Sequence, residues 1–293
     1  MLSILIPTYN YTCYQLVHDL HEQAERLGIP YEIIVAEDGS RSQVDIIANH
    51  KITELSHCQH LVKKERQGPA EVRNMLARQA MYEWILFIDS DAKVERTDFL
   101  HAYFLSIGKA DVVVGGLYHQ SENPNPHVTL RFKYEKKADQ HRSAAERSLN
   151  PYRQFSTFNF MVRRSTFLCI LFDKTCKEYG YEDALFGVEL KKRGISILHI
   201  ENPLVHTGLD TNDIFLKKTE TALRTLKRLN GKMESHSRVG STYKKLHRLH
   251  LTWALKGFFH LFRPIMRWNL LSEHPSLFWF SLYKLGYYAT LTS

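Results

Sequence analysis

The sequence predicts an α/β protein: a mostly parallel sheet with helices on both faces, followed by a helical C-terminal extension. Two observations predict the sheet. Short apolar runs alternate with stretches whose apolar residues recur at helical spacing, and the connections between them are short. A change of composition predicts the extension. Residues 217–293 hold 14 Lys or Arg against Glu220, Glu234 and Glu273, a net of +11, while residues 1–216 net −3 within the total of +8.

Leu2–Ile6 reads as a buried strand ending in the loop Pro7-Thr8-Tyr9-Asn10. Thr12–Leu27 places Leu16, Leu20, Ala24 and Leu27 on one helical face, and Gly28 stops it. Glu32–Ala36 is a second strand, ended by Glu37-Asp38-Gly39-Ser40. Ser42–His50 is a short helix and Gln59–Lys63 a weak third strand. Gly68-Pro69 opens a helix to Tyr82, with Pro suited to the first helical position. Trp84–Ile88 is a fourth strand, followed by Asp89-Ser90-Asp91, and Asp111–Leu117 is a fifth.

Residues 118–155 are polar and read as a surface excursion. Phe158–Arg163 returns to strand character. Glu182–Arg193 is a helix stopped by Gly194, Ile195–Glu201 a strand, and Asp213–Leu229 a helix. Residues 231–241 are a candidate linker. Beyond it, Tyr243–Phe262 and Pro275–Leu291 are aromatic helical segments split by Pro264 and Pro275.

Composition excludes a disulfide miniprotein and a disordered chain. Cys13, Cys58, Cys169 and Cys176 form no CxxC pair and no zinc spacing, which fits free thiols in a reducing compartment. Leu2–Ile6 lacks the charged start and cleavage site of a signal peptide, so none is expected. No apolar stretch is long enough for a spanning helix.

In open α/β sheets, ligands bind beyond the carboxyl ends of the strands. Three polar clusters fall at such ends: Pro7–Asn10, Glu37–Ser40 and Asp89–Asp91. Asp89-Ser90-Asp91 offers two hard carboxylates that suit Mg²⁺ or Mn²⁺ with substrate phosphates; a solvated turn is the plain alternative. Glu37-Asp38-Gly39-Ser40 suits acceptance from ribose or a base, or an ordinary turn. Arg73, one turn into its helix, is placed to reach a phosphate or a base, or to lie on a solvated face. Glu182-Asp183 at a helix start fits either N-terminal capping or a general base. His206, after Pro203-Leu204-Val205, is a metal ligand, a phosphate donor or one of 16 ordinary histidines.

Taken in order, these pieces resemble family 2 of the glycosyltransferases, which carry the A-type nucleotide-sugar fold. Ser3–Asn10 is similar to the family's opening strand and loop. Ala36–Ser40 is similar to its Asp-Asp-Gly-Ser turn, with Glu37 for the first Asp. Gly68 through Arg73-Asn74 resembles its Gly-x-x-x-Ala-Arg-Asn segment, with Val72 for Ala. Asp89-Ser90-Asp91 matches its Asp-x-Asp motif. Phe160–Arg164, Phe172-Asp173 and Gly180–Asp183 resemble the acceptor-side region, where Ile170-Leu171 replaces the usual Gly-Gly. The resemblance covers roughly residues 2–216.

The resemblance implies a catalytic domain over 1–230, with a nucleotide-sugar half 1–117 and an acceptor half 118–230; the basic aromatic tail over 231–293 is read from composition and carries none of the family's catalytic motifs. It implies that Pro7, Tyr9 and Asp38 bound the nucleoside end of the donor, with Arg73 near the nucleotide. Asp89 and Ser90 then face the ribose or a metal-bound water. Asp91 holds Mn²⁺ or Mg²⁺ against the diphosphate, with Asp89 and His206 as further metal-site residues. Asp183 is the implied general base, with Glu182 beside it. The implied reaction is an inverting, metal-dependent transfer from a nucleoside-diphosphate sugar, UDP-linked by first choice with guanosine and thymidine donors open, to a glycan or lipid-linked acceptor.

In the tail, Ser276–Leu291 is interrupted by Lys284, too short to span, and suits a helix in a membrane interface with its cations toward anionic headgroups. Packing on the body or on a second protomer as a homodimer is the alternative. The expected location is cytoplasmic, peripheral on the inner membrane. Two rival classes remain. A nucleotidyltransferase would show a Gly-rich basic phosphate loop, which Pro7–Asn10 is not. A non-catalytic binder of nucleotide sugars or an anionic polymer would leave the ordered acidic motifs unexplained, and nucleic acid is not an expected partner.

Overall fold

The computed structural model describes residues 1–120, 122, 125–173, 180–229 and 237–291. Asn123, Pro124, Cys176, Tyr179 and the first part of the expected linker, 231–236, lie outside the described residues.

The described elements run β1 (Leu2–Thr8), α1 (Tyr14–Leu27), β2 (Tyr31–Glu37), α2 (Gln43–His50), β3 (Cys58–Val62), α3 (Pro69–Gln79), β4 (Trp84–Ile88), β5 (Ala92–Lys93) and α4 (Phe99–Phe104). Then follow β6 (Val112–Val114), β7 (Leu117–Tyr118), α5 (Thr129–Asp139), α6 (Ala144–Ser148), β8 (Asn159–Arg163), α7 (Arg164–Ile170), α8 (Glu182–Lys192), β9 (Ile197–His199) and β10 (Leu204–His206). Four helices end the chain: α9 (Asn212–Arg228), α10 (Arg238–Arg248), α11 (Thr252–Leu271) and α12 (Leu277–Thr290).

A seven-stranded sheet has the order β3-β2-β1-β4-β8-β6-β9. Strands β1 to β4 are mutually parallel, β8 runs antiparallel to both neighbours, and β9 is parallel to β6. The expectation of a mostly parallel sheet flanked by helices therefore holds. Strand alternation builds the two cores. Ile4, Ile6, Ile33 and Val35 face α1 and α4 through Val17, Leu20, Phe99 and Tyr103. Leu5, Ile34, Phe87 and Phe160 face α3, α7 and α8 through Leu76, Phe167 and Phe186.

A second sheet, β5-β10-β7, lies outside the sequence expectations. Its strands are two or three residues long, too short for a readable period. It also splits the expected strand Asp111–Leu117 in two. Gly116, at φ +92°, makes the break, and the Arg147 guanidinium packs where a Cβ would stand. Buried Arg147 donates to the carbonyls of Val114, Gly115 and Ile200 around the break. Thus the polar excursion 118–155 is not all surface: it carries α5, α6 and this buried cation.

The chain forms two compact units. Among the described residues, the first gathers 1–119, 139–173 and 182–208; the second gathers 120–138, 180–181 and 209–291. In the second, Leu130, Phe215, Leu216, Phe259, Met266, Leu270, Phe280 and Tyr283 form a core of their own.

Two expectations about the C-terminal helices are corrected. Pro264 does not divide a helix: α11 runs through it, with the ring exposed. Burial of Phe259, Met266 and Leu270 on the other face offsets the ~3 kcal/mol that an interior Pro costs. And α12, read as an interfacial helix, buries Phe280, Tyr283, Gly286, Tyr288 and Ala289. Its Lys284 does not face outward; the ammonium lies 4.4 Å from the Phe280 ring centroid and 4.6 Å from that of Tyr134. Burial, with the Arg238 charge, pushes it down to about 8. Among the described residues, no helix is long and apolar enough to cross a membrane.

Candidate functional site

Strands β2, β1 and β4 are adjacent and parallel, so their carboxyl ends lie side by side. That places the loops after Thr8, Glu37 and Ile88 along one edge of the first unit. The Asp38 amide donates to the Thr8 carbonyl at 2.9 Å, tying the first two together.

Glu37 is fully buried and shapes its loop. Its carboxylate accepts from Asn49 Nδ2 at 2.8 Å and from the Ser40 hydroxyl, and lies 3.3 Å from His60 Nε2. Burial alone would raise it, but the hydrogen bonds from His60, Ser40 and Asn49 prevail and hold it below the usual carboxylate range. Asp38 accepts the Gln67 amide at 2.7 Å on one oxygen and the Gly68 amide at 2.8 Å on the other. It thereby fixes the chain entering α3. Gly39, at φ +69°, permits this approach, since a Cβ there would meet the Arg66 backbone. Tyr9, 37% exposed, lies under the Arg66 guanidinium at 4.1 Å from its ring centroid. Pro7 lies in β1 opposite Ala36.

Arg73 is the buried cation of the site. Its Nη2 donates to Asp89 Oδ1 at 2.5 Å and its Nη1 to the Pro69 carbonyl at 3.2 Å, while Nε is buried without a partner. Burial raises the Asp89 carboxyl; Arg73 opposes that, and the Asp91 charge adds to it. Ser90 is half-buried between the two acids.

Asp91 meets His206 from the second sheet, with Oδ2 2.9 Å from Nε2. His206 Nδ1 lies 2.9 Å from His119 Nε2, and His119 Nδ1 lies 3.1 Å from Asp139 Oδ1. The Thr207 amide and hydroxyl both donate to the Asp91 carbonyl, and a Cβ on Gly208 would collide with the Asp91 carboxylate. This chain of four groups has three gaps to fill. Two neutral imidazoles carry only two protons. The third gap takes either one more proton or a cation.

The donor chemistry of that gap fits a divalent ion, pairing a hard carboxylate oxygen with an imidazole nitrogen. Among the described residues no group of three or more His, Cys, Asp or Glu gathers for a metal. An ion at Asp91 and His206 would therefore draw its remaining ligands from substrate oxygens and water. Asp89 already gives one oxygen to Arg73.

Glu182 and Asp183 begin α8, both half-buried. The Ala184 amide donates to Asp183 Oδ1 at 2.7 Å. Burial first, then the Glu182 charge, pushes the Asp183 carboxyl up to about 7, while Arg73 acts in the opposite direction. Arg73 thus influences both Asp89 and Asp183. Leu171 adopts φ +55°, so the turn before Phe172 keeps a left-handed residue where the family's usual glycine is missing.

The structure brings Arg73, Asp89, Asp91 and His206 into one cluster, with Asp38 and Tyr9 on the loops of the adjoining strands. Sequence reasoning missed His119, Asp139, Asn49, His60 and Arg66. None lies in a motif, and among 16 histidines nothing marked His119.

The family model described as "Glycosyl transferase family 2" matches residues 3–171. An uncharacterised glycosyltransferase of Haemophilus influenzae is 30% identical over 94 residues, which is 31% of this chain and 36% of that protein. The matched stretches span 29% to 41% of the length of such curated relatives. The mannosyltransferase PcManGT from Pyrobaculum calidifontis, in complex with GDP-Man and Mn²⁺, aligns over 98% of this chain and 84% of its own, with a TM-score of 0.53 and 14% identity. S. aureus TarS in complex with UDP-GlcNAc aligns over 88% of this chain and 80% of its own, with a TM-score of 0.52 and 19% identity. These two likenesses show a common fold.

Proposed function

The chain belongs to glycosyl transferase family 2, and from that premise we propose an inverting, metal-dependent transfer of a sugar from a nucleoside-diphosphate sugar, UDP-linked by first choice, to a hydroxyl of a glycan or lipid-linked acceptor. The observation that carries this reading is the Asp89–Asp91 turn at the carboxyl end of β4, with Arg73 on one acid and His206 on the other.

Pro7, Tyr9 and Asp38 receive the nucleoside. The exposed Tyr9 ring offers a stacking face, and each Asp38 oxygen retains an acceptor position beyond its backbone amide. Arg73 fixes Asp89 toward the ribose side, with Ser90 beside it. Asp91 and His206 hold Mn²⁺ or Mg²⁺, which supplies Lewis-acid stabilisation to the leaving diphosphate.

Asp183 acts as general base. Its carboxylate takes the proton of the acceptor hydroxyl as that oxygen attacks the anomeric carbon, and the bond to the diphosphate breaks on the opposite face. One displacement inverts the centre. A base must be ionised yet basic enough to take a proton, and a carboxyl raised to about 7 suits that near neutral pH. Glu182 contributes through its charge on Asp183.

The same reading places the enzyme at the cytoplasmic face of a membrane. The free thiols of Cys13, Cys58 and Cys169 and the basic C-terminal helices support it. The test is transfer to saccharide acceptors from a panel of nucleotide sugars with Mn²⁺ or Mg²⁺, reading the anomeric configuration of the product. Retention of configuration would refute the single displacement.

A further inference from the structure

Helix α11 has one partnered face and one bare one. Phe259, Met266 and Leu270 enter the core of the second unit. Around the helix from them, Trp253 (75% exposed), Leu261 (72%), Ile265 (53%), Trp268 (76%) and Leu271 (40%) stand in solvent. At 100° per residue these five fall within an arc of about 120°, so they form one continuous stripe rather than scattered surface residues. Two large indole rings exposed at three quarters of their area are costly to leave in water.

The flank of that stripe is cationic. Lys256, His260 and Arg263 are exposed on the same helix, and α11 contains no acid. From 238 to 291 the chain has eight Lys or Arg against the single acid Glu273. Arg267, by contrast, is half-buried and turned toward the core, donating to Glu220 and to the Tyr283 hydroxyl.

We propose that the outer face of α11 is a docking surface for an anionic lipid bilayer, with Trp253, Leu261, Ile265 and Trp268 entering the interface and Lys256 and Arg263 meeting the headgroups. Charge decides the occupant. An apolar stripe alone would suit any greasy partner, but a stripe flanked by cations in a segment with one acid fits an anionic surface and opposes a second copy of the same basic segment. The helix is held to the core by its inner face, so docking needs no refolding. This rests on the membrane location proposed above and deepens it by naming the face that docks; its observations come from the second unit alone.

The experiment is flotation of the full chain with phosphatidylcholine vesicles, with and without an equal share of phosphatidylglycerol. The wild-type chain floats with the anionic vesicles, and less as salt rises. Leu261→Glu with Trp268→Glu abolishes flotation. Lys256→Gln with Arg263→Gln weakens it by about fivefold per charge removed. All four side chains are exposed, so both variants keep the wild-type melting temperature, which is measured alongside. Wild-type protein that stays unbound, or equal flotation by the Leu261→Glu/Trp268→Glu variant, overturns the proposal. So does a wild-type dimer that the same variant converts to monomer without any vesicle binding, since a second copy then covers the face. Nucleotide-sugar binding in the variants, followed separately, is unaffected and distinguishes failure of this proposal from failure of the transferase reading.

Discussion

His206 Nε2 stands 2.9 Å from Asp91 Oδ2, although the two residues lie 115 positions apart. Strand β10 brings them together by pairing with β5 immediately after the Asp-x-Asp turn, in register His206 to Ala92. The second sheet thus has a chemical consequence: it sets an imidazole against the acid proposed above to hold the metal.

His119 positions His206. Its Nε2 meets His206 Nδ1 at 2.9 Å, and Asp139 holds its other nitrogen. Partners behind a ligand fix its tautomer and orientation, and losing one costs ~10–100-fold in metal affinity or activity. His119→Ala is expected to raise the Mn²⁺ concentration for half-maximal activity by that factor, with kcat at saturating Mn²⁺ falling less. An unchanged Mn²⁺ requirement would leave His119 with no role at the site. Gly208→Ala acts from the other side. Its Cβ would meet the Asp91 Cβ and Cγ at 2.7 Å as well as the carboxylate, so the Mn²⁺ requirement should rise and the melting temperature fall.

As the proposed general base, Asp183 is expected to set the acid limb of the rate profile. With its carboxyl raised to about 7, kcat/KM is expected to fall tenfold per pH unit below that value. Asp183→Asn should lower the rate by ~10²–10⁴. Stability moves in a stated direction too. The folded carboxyl sits above its ordinary 3.8, so the folded state favours the proton. That contribution is complete below pH 3.8 and is lost as pH rises through about 7. Asp183→Asn, which cannot ionise, should therefore melt higher than the wild type at pH 8, with the gap closing toward pH 4. Equal melting temperatures at both pH values would contradict a raised carboxyl.

Arg73 holds Asp89 and moderates Asp183. Removing one partner of a buried pair strands the other. The Asp89 side chain keeps 28% of its exposure, which relieves part of the cost. Arg73→Gln is expected to destabilise the fold by on the order of 2–3 kcal/mol, at the low side of broken buried pairs. Asp89→Asn in the Arg73→Gln background should recover part of that loss, because no carboxylate is then left unpaired. Chemical denaturation of the two single variants and the double variant measures the coupling. Additive losses would show that the pair contributes nothing.

Gly39→Ala tests the loop chemistry. The residue holds φ +69°, and a Cβ would run into the Arg66 backbone. A loss of about 2 kcal/mol is expected, together with weaker nucleotide binding, because Asp38 and Tyr9 flank the same turn. Full stability in the variant would mean that the turn relaxes easily.

The parts legible in the sequence were those where one physical signal dominates. β1, β2 and β4 are continuous apolar runs because both faces of the central sheet are covered. Their polar ends fall side by side at the carboxyl edge of the sheet, where ligands of open α/β sheets bind. The missed parts depend on tertiary context. β5, β7 and β10 are too short for a period. Arg147 is charged, yet buried by backbone carbonyls that only the folded chain presents. Pro264 passes through a helix because the core holds the other face, and Lys284 turns inward because Phe280 and Tyr134 offer it π-faces.

The most direct test is nucleotide-sugar binding followed by thermal shift, with Mn²⁺ or with EDTA, in the wild type, Asp91→Ala and Asp183→Asn. A ligand at 100 times its Kd stabilises the fold by about 2.7 kcal/mol. The account predicts a rise with one nucleotide-sugar that needs Mn²⁺, disappears in Asp91→Ala and survives in Asp183→Asn. No shift with any nucleotide-sugar in the folded wild type, or the same shift in Asp91→Ala, would contradict it.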